Sequence, residues 1–186
     1  GRIHYEEQHT SLAALPGMRE RVVLADGFSK AYAMTGWRLG YGVFPRALVE
    51  PVTRLVINSN SCTAAFVQLA GLAALRGPQE PVERMVAEYR RRRDLVISAL
   101  RATPGIRCPL PQGAFYAFPD VRQLPLPASA LATHLLEEHG VATLSGTAFG
   151  PGGDGHLRIS YVSAPEVLEE ALRRIRAAAE ALVERA

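Results

Sequence analysis

The sequence predicts an α/β protein that combines the end of a large mixed-sheet domain with a small α+β domain. Three observations lead to this prediction. First, two strand-like runs precede helices in the first part of the chain. Second, a long helical pattern follows. Third, the sequence after it has the pattern of short strands mixed with helices. We therefore assign residues 1–80 to the end of the large domain and residues 81–186 to the small domain, with the boundary at the long helix.

The first part opens with a loop and a strand. Residues 1–18 are polar and contain a Pro-Gly pair, which is typical of a loop. Residues 21–28, RVVLADGF, form a short apolar run next to a glycine and predict a buried strand. A turn at Thr35 and Gly36 then leads into the second strand.

The second predicted strand covers residues 37–44, WRLGYGVF. Alternation along it places Trp37, Leu39, Tyr41 and Val43 on one face, and Arg38, Gly40 and Gly42 on the other. Because glycine has no side chain, we expect the second face to leave room for a bulky group to lie against the sheet beside Arg38.

Helical periodicity predicts the next three elements. These helices are expected at residues 45–58, 62–77 and 80–103, with Pro45 in the first turn, Gly77 at an end and Pro104 after the last. Beyond them the sequence predicts short strands at 106–110, 113–119, 141–145 and 156–162, and helices at 127–139 and 165–184. This last group forms the predicted α+β domain.

The composition is that of an ordinary soluble globular protein, with 48% hydrophobic and 21% charged residues. The net charge of +3 is too small to indicate a nucleic-acid partner. The basic run Arg90–Arg93 lies in a helical pattern without interleaved aromatic residues, so we expect a solvated helix face. No apolar run approaches the 18 residues or so that a membrane span needs, and no membrane association is predicted.

Two features carry no catalytic prediction. Cys62 and Cys108 are far apart and belong to no metal or redox motif, so we expect buried thiols in a reducing, cytoplasmic environment and no metal site. The segment GPGGDG at residues 150–155 has the letters of a dinucleotide-binding fingerprint, but a strand-like segment follows it where the fingerprint requires a helix. We therefore expect a glycine-rich turn.

Lys30 is the single lysine of the sequence, against 20 arginines among the 21 basic residues. A guanidinium stays protonated near neutral pH, whereas a desolvated amine can lose its proton and attack a carbonyl to form a Schiff base. Lys30 is therefore a candidate nucleophile. An arginine-biased composition that left one lysine by chance explains the observation equally well when it is considered alone.

The residues around Lys30 resemble a known signature. From Gly27 to Gly40 the chain reads GFSKAYAMTGWRLG, which is similar to the lysine-attachment motif of class I/II aminotransferases, a fold-type-I family that uses pyridoxal 5'-phosphate (PLP). The segments PQGAFYAFPDV and VATLSGTAFGPGGDGHLRISYV also resemble this family, so the likeness covers essentially the whole chain. Two departures, Ser145 for a common proline and Ser61-Cys62-Thr63 for Ser-Asn-Pro, affect the surroundings of the substrate pocket.

The resemblance implies roles for four residues. Lys30 would hold PLP covalently and then move a proton between the substrate and the cofactor. Arg38 would bind the cofactor phosphate, and Ser29 would add a hydroxyl to it. Arg158 would bind the α-carboxylate of the substrate; without the resemblance, a solvent-facing arginine on an antiparallel strand is an equal or better interpretation.

The resemblance also implies that part of the active site lies outside this sequence. The family's acidic partner of the pyridine nitrogen, its tyrosine, its asparagine and its ring-stacking residues belong upstream of residue 1. We therefore expect the C-terminal half of a longer, homodimeric aminotransferase that exchanges amino groups between an L-amino acid and a 2-oxo acid and is inactive as this half alone. A PLP-dependent carbon-sulfur lyase or synthase, and an effector domain of a transcription regulator, remain the alternatives.

Overall fold

The computed structural model describes residues 2–185, and these residues form two compact units. The first unit ends at Met85 and the second begins at Val86, so the division falls inside a long helix, Glu80–Arg101. The assignment of residues 1–80 and 81–186 to a large and a small domain stays a prediction.

The first unit contains two short strands and two full helices. Its elements are β1 (Leu24–Gly27), α1 (Phe28–Ala31), β2 (Gly40–Val43), α2 (Arg46–Asn60) and α3 (Ala65–Arg76), and the long helix that follows is α4 (Glu80–Arg101). Strands β1 and β2 pair antiparallel, with Leu24 opposite Val43 and Gly27 opposite Gly40. The predicted helix limits hold to within a few residues, since Pro45 lies just before α2 and Gly77 just after α3.

The strands of this unit are shorter and more exposed than the sequence predicts. We expect a buried strand over 21–28, but β1 covers four residues, two of them exposed. All four residues of β2 are exposed. The apolar run therefore predicted the presence of the strand correctly, but the prediction that it is buried is wrong. Among the described residues, β1 and β2 form a two-stranded ribbon, which covers little of its own surface.

Much apolar surface of the first unit faces outward. Its buried apolar side chains among the described residues are Tyr5, Phe28, Met34 and Val67, whereas Leu55, Phe66 and Leu69 are each at least two-thirds exposed. A groove of about 880 Å³ runs between β2, α2 and α3. Most of the side chains that line this groove are apolar.

The second unit has three short strands and two helices besides the end of α4. These are β3 (Tyr116–Ala117), α5 (Ala128–His139), β4 (Leu144–Ser145), β5 (Leu157–Ser160) and α6 (Pro165–Glu184). The strands form an antiparallel sheet in the order β3-β5-β4. The strand expected over 106–110 is reduced to a single bridge between Arg107 and Asp120.

A continuous apolar core lies within the second unit. Helix α6 contributes Leu168, Leu172 and Ile175 at helical spacing, and α4 contributes Val96 and Leu100. Valine and leucine side chains that are fully buried each contribute about 1.5–3 kcal/mol relative to exposure. This core holds the three-stranded sheet against the helices.

The arginine run of α4 is not the solvated face that its composition predicts. Arg93 is 2% exposed; its guanidinium donates to the carbonyl of Pro111 at 3.1 Å and pairs with Asp94. Arg92 is half-buried and donates to the carbonyl of Val162 at 2.6 Å. Two members of the run therefore tie α4 to loops of the second unit, since buried guanidinium groups need oxygen partners.

The two cysteines are unpaired thiols in different surroundings. Cys108 is buried, as expected, and burial raises the pKa of its thiol. Cys62 is exposed, which contradicts the prediction of two buried thiols. Within residues 2–185, no helix combines the length and apolarity needed to cross a bilayer.

Acid is expected to weaken the second unit through two carboxylates. Hydrogen bonds from Arg91 and Arg92 lower the pKa of Glu88 from 4.5 to about 2, and those from Arg173 and Arg174 lower that of Glu170 to about 2. A carboxylate whose folded pKa is depressed stabilises the fold above its unfolded pKa and loses this contribution as pH falls through the folded value. We therefore expect a loss of stability between pH 4.5 and about 2.

The measurement for this prediction is the melting temperature of the protein against pH, for wild type and for Glu88→Gln. The difference between the two should be largest above pH 4.5 and should shrink toward zero as the pH falls below about 2, where the wild-type carboxyl is itself mostly protonated. Glu83→Gln, an exposed change on the same helix, is the control. A difference that does not vary with pH would contradict the prediction.

Candidate functional site

Lys30 lies in α1, the single turn of helix that directly follows β1. The turn is anchored by Phe28, which is buried, contacts the rings of Tyr32 and Tyr41, and donates its backbone N–H to the carbonyl of Leu39 at 3.2 Å. Lys30 is exposed, and its amine makes no ion pair within residues 2–185. The amine is therefore accessible to a small molecule.

Ser29 precedes Lys30 in the same turn and is partly buried. Its hydroxyl has no hydrogen-bond partner among the described residues, whereas the nearby carboxylate of Asp26 accepts from the backbone N–H of Gly27 at 2.8 Å. Burial, and secondly the charge of Asp26, raise the pKa of Tyr41, which lies opposite Asp26 in the ribbon. The Asp26 carboxylate therefore already has a hydrogen-bond donor within the β1–β2 ribbon.

Arg38 does not lie on a strand, which corrects the sequence prediction. It follows the 3₁₀ turn Thr35–Trp37 and has left-handed backbone angles, φ 52° and ψ 49°. Its guanidinium donates to the carbonyl of Thr35 at 3.0 Å and is exposed. The alternating pattern predicts a strand from Trp37 onward. The prediction fails because Trp37 still belongs to the 3₁₀ turn and Arg38 follows it in a left-handed conformation.

The glycines of β2 do not form an open face either. A Cβ at Gly42 would lie 2.4 Å from the ring of Phe44, and one at Gly40 would lie 3.2 Å from the backbone oxygen of Asp26. Real Cβ atoms do not approach other atoms as closely as the first of these distances. The space beside Gly42 is therefore occupied by the ring of Phe44, and the space beside Gly40 by the backbone of β1, so neither glycine leaves room for a ligand.

The donors around α1 nevertheless suit an anionic aldehyde such as PLP. Ser29 and Lys30 lie in α1 and supply a hydroxyl without a hydrogen-bond partner among residues 2–185 and an exposed primary amine, and Arg38, just after the 3₁₀ turn Thr35–Trp37, supplies an exposed guanidinium. Neither cation is neutralised by a carboxylate among the described residues. An amine can bond to an aldehyde carbon, and a guanidinium can donate two hydrogen bonds to a phosphate. The residues present therefore fit the cofactor that the motif predicts.

A substitution at Arg38 tests the phosphate role. Arg38→Gly removes the guanidinium without adding strain, because glycine adopts positive φ at no steric cost. We expect the Kd for PLP, measured by equilibrium titration of the whole protein, to rise about 10- to 100-fold through the loss of charge-assisted hydrogen bonds. Arg21→Gly, which removes an exposed charge from a turn of the same unit, should leave the Kd within about twofold of wild type. Equal effects of the two variants would contradict the prediction.

Arg158 lies on β5, the central strand of the second unit. Leu157, Ile159 and Tyr161 are buried on the core side, so Arg158 occupies the opposite face, as the alternation predicts. Its guanidinium makes no ion pair within residues 2–185. By contrast, many arginines of this unit bind carboxylates: Arg91, Arg92, Arg93, Arg122, Arg173, Arg174 and Arg176.

Two aromatic rings that the sequence motifs do not indicate contact Arg158. Its guanidinium carbon lies 4.6 Å from the ring centre of Tyr116 and 4.4 Å from that of Phe149. Tyr116 pairs with Ser160 across the sheet and so shares the face of Arg158. The GAFYAF strand could have indicated Tyr116, but the contact with Phe149 depends on the loop after β4.

The glycine-rich segment after Phe149 packs tightly against that loop. A Cβ at Gly153 would lie 2.0 Å from the backbone oxygen of Gly146, and one at Gly146 would lie 2.9 Å from the ring of Phe118. Gly150 has φ 114°, which favours glycine. A 3₁₀ turn at Pro151–Gly153 leads into β5, so the expected turn at 150–155 is confirmed.

Three comparisons connect this geometry to known proteins. Residues 4–175 match the family described as aminotransferase class I and II. The chain is 44% identical over 172 residues to a putative aminotransferase, YugH, of Bacillus subtilis, covering 92% of this chain and 44% of that protein. It is 43% identical over 171 residues to the arginine–pyruvate transaminase AruH of Pseudomonas aeruginosa, with the same two coverages.

Solved structures agree with the sequence relatives. The aromatic aminotransferase of Pyrococcus horikoshii superposes with a TM-score of 0.93 at 39% identity, over 97% of this chain and 48% of that one. The aspartate aminotransferase of Rhizobium meliloti gives a TM-score of 0.90 at 36% identity, over 96% and 47%. The chain thus spans slightly less than half the length of the proteins that it matches.

Proposed function

Because the chain belongs to the class I and II aminotransferase family, we propose that the protein it forms part of is a PLP-dependent aminotransferase. The whole protein would move an amino group from an L-amino acid to a 2-oxo acid, and this chain would supply the C-terminal half of its fold. The single observation that carries the proposal is the accessible amine of Lys30 within the family motif, in a chain whose other basic residues are all arginine.

The roles of the residues follow from their chemistry. Bound PLP would supply an electron sink for the carbanion at the substrate Cα. Lys30 would hold the cofactor through Nζ and, once displaced by substrate, would take the proton from the substrate Cα. Arg38, with Ser29 beside Lys30, would bind the phosphate through charge-assisted hydrogen bonds.

Arg158 would select the substrate by its α-carboxylate. Its guanidinium carries no carboxylate partner among the described residues and can donate two parallel hydrogen bonds to an incoming one. The relatives act, by their names, on arginine, aspartate and aromatic amino acids, so the side-chain preference of this protein stays open between these classes and alanine. We further propose a cytoplasmic homodimer, which the unpaired thiols and the family resemblance support.

The test is to supply the whole protein with an amino acid and no 2-oxo acid. An aminotransferase converts about one equivalent of donor and stops with the amino group on the cofactor, and adding pyruvate or 2-oxoglutarate restores turnover. The absorbance of the cofactor should change once and then recover. Catalytic release of ammonia without an acceptor would overturn the proposal in favour of a lyase, and an absence of either reaction would favour a binding role.

A further inference from the structure

Within residues 2–185, the guanidinium of Arg158 contacts two aromatic rings and makes no hydrogen bond to an oxygen atom. Tyr116 and Phe149 contact it at 4.6 Å and 4.4 Å, within the range of cation–π attraction. A ring face has no lone-pair oxygen, so these contacts restrict the position of the guanidinium without using its N–H groups in hydrogen bonds to the protein. Arg158 is thus placed and yet retains its donors for a ligand.

The two rings are themselves fixed by neighbouring aromatic side chains. Phe149 contacts Phe118 edge-on at 6.4 Å, and Phe118 stacks on His156 at 5.2 Å. Tyr116 contacts Phe115 at 4.7 Å. Aromatic pairs at such distances stabilise each other beyond the effect of their buried area. Each of the two rings therefore belongs to its own aromatic cluster, Phe149 with Phe118 and His156, and Tyr116 with Phe115.

Arginine loses considerable rotational freedom when it binds a ligand. Its long side chain can adopt many rotamers, and holding it in place beforehand reduces the entropy cost that carboxylate binding must offset. Phe149 is 50% exposed and Arg158 is only partly buried, so the two rings do not seal the guanidinium from solvent. This arrangement is suited to capturing a carboxylate from outside.

We propose that Tyr116 and Phe149 are positioning residues that hold the guanidinium of Arg158 ready for the substrate α-carboxylate. The inference rests on the proposed role of Arg158 and adds two residues that act through it. Neither ring touches the reacting bond in this scheme. Their removal should therefore weaken the binding of carboxylate substrates and leave the chemical step nearly unchanged.

The experiment compares Tyr116→Leu, Phe149→Leu and wild type as PLP-loaded whole enzymes. The donor is whichever of L-alanine, L-aspartate or L-phenylalanine the wild type uses, and the probe is the same compound without its α-carboxylate: ethylamine, β-alanine or 2-phenylethylamine. We expect the KM for the amino acid to rise about 10-fold, equivalent to about 1.4 kcal/mol, with kcat within about threefold. The rate with the amine should stay within about twofold.

Two further variants separate positioning from folding. Tyr116→Phe keeps the ring and should retain the wild-type KM. Tyr89→Leu removes a ring that contacts Phe115 and not Arg158, and should also retain it. An equal loss of rate with amino acid and amine, or an unchanged KM in both leucine variants, would overturn the inference.

Arg158→Ala distinguishes a failure of the positioning role of the two rings from a failure of the proposed role of Arg158 in binding the α-carboxylate. If Arg158→Ala raises the KM for the amino acid and the ring variants do not, the positioning role is wrong and the carboxylate role stands. If Arg158→Ala leaves the KM unchanged, the assignment of Arg158 itself is wrong, and the inference fails with it.

Discussion

Replacing Lys30 with alanine is expected to reduce transamination by the whole protein by at least about 10⁴-fold. The amine serves twice in the proposed reaction, as the covalent holder of the cofactor and as the group that takes the Cα proton, and proton transfer alone contributes about 10²- to 10⁴-fold. Lys30→Arg should be as inactive as Lys30→Ala, because a guanidinium keeps the positive charge but cannot act as a nucleophile near neutral pH.

A chemical label tests the same residue independently of activity. Borohydride reduction of the PLP-loaded protein makes the bond between cofactor and lysine permanent, and peptide mass mapping should find the cofactor on Lys30, the one lysine of this sequence. Arg54→Lys, which adds an exposed lysine on α2, serves as the control and should acquire no label there. A permanent label on any other lysine of the protein, or a label that persists in Lys30→Ala, would contradict the assignment.

Replacing Arg158 with alanine is expected to lower kcat/KM for the amino acid donor about 10²- to 10³-fold. Two hydrogen bonds to a charged group contribute about 1.5–3 kcal/mol each, and the predicted loss corresponds to about 2.7–4.1 kcal/mol. Arg158→Lys should recover part of the activity, since lysine keeps the charge but not the two-pronged geometry.

The control for this prediction is a substrate that lacks the carboxylate. The decarboxylated amine should react with Arg158→Ala and with wild type at rates within about threefold of each other, because the lost hydrogen bonds were never made with it. Arg122→Ala removes another exposed arginine of the same unit, one that pairs with Asp120, and should not change the selectivity between acid and amine. A parallel loss with both substrates would show that Arg158 has a structural role only.

The helices of this protein could be predicted from local pattern. The final helix was expected at 165–184 and is found at Pro165–Glu184, and α5 differs from its predicted range by one residue. Their apolar residues recur at helical spacing, and Gly140 ends α5 with φ 63°. Such signals lie within a few residues of each other, so the sequence alone carries them.

The strands and the burial of charged groups could not be predicted as well. The second strand was expected to begin at Trp37 and begins at Gly40, because a strand's extent depends on how much of it finds a partner. Arg93 is buried because the carbonyl of Pro111, 18 residues away, accepts a hydrogen bond from it. Neither outcome is encoded in the local pattern around the residue concerned.

The sequence by itself determined which groups are the candidates for the proposed chemistry: a lone amine within a family motif, and an arginine on the outward face of an alternating strand. Only the tertiary structure decided how those groups are held. The left-handed turn at Arg38 and the two rings against Arg158 arise from contacts between residues that are separate in the chain or from backbone angles that no periodicity reveals. The physical reason is that reactivity belongs to a side chain, whereas its position is set by everything that packs around it.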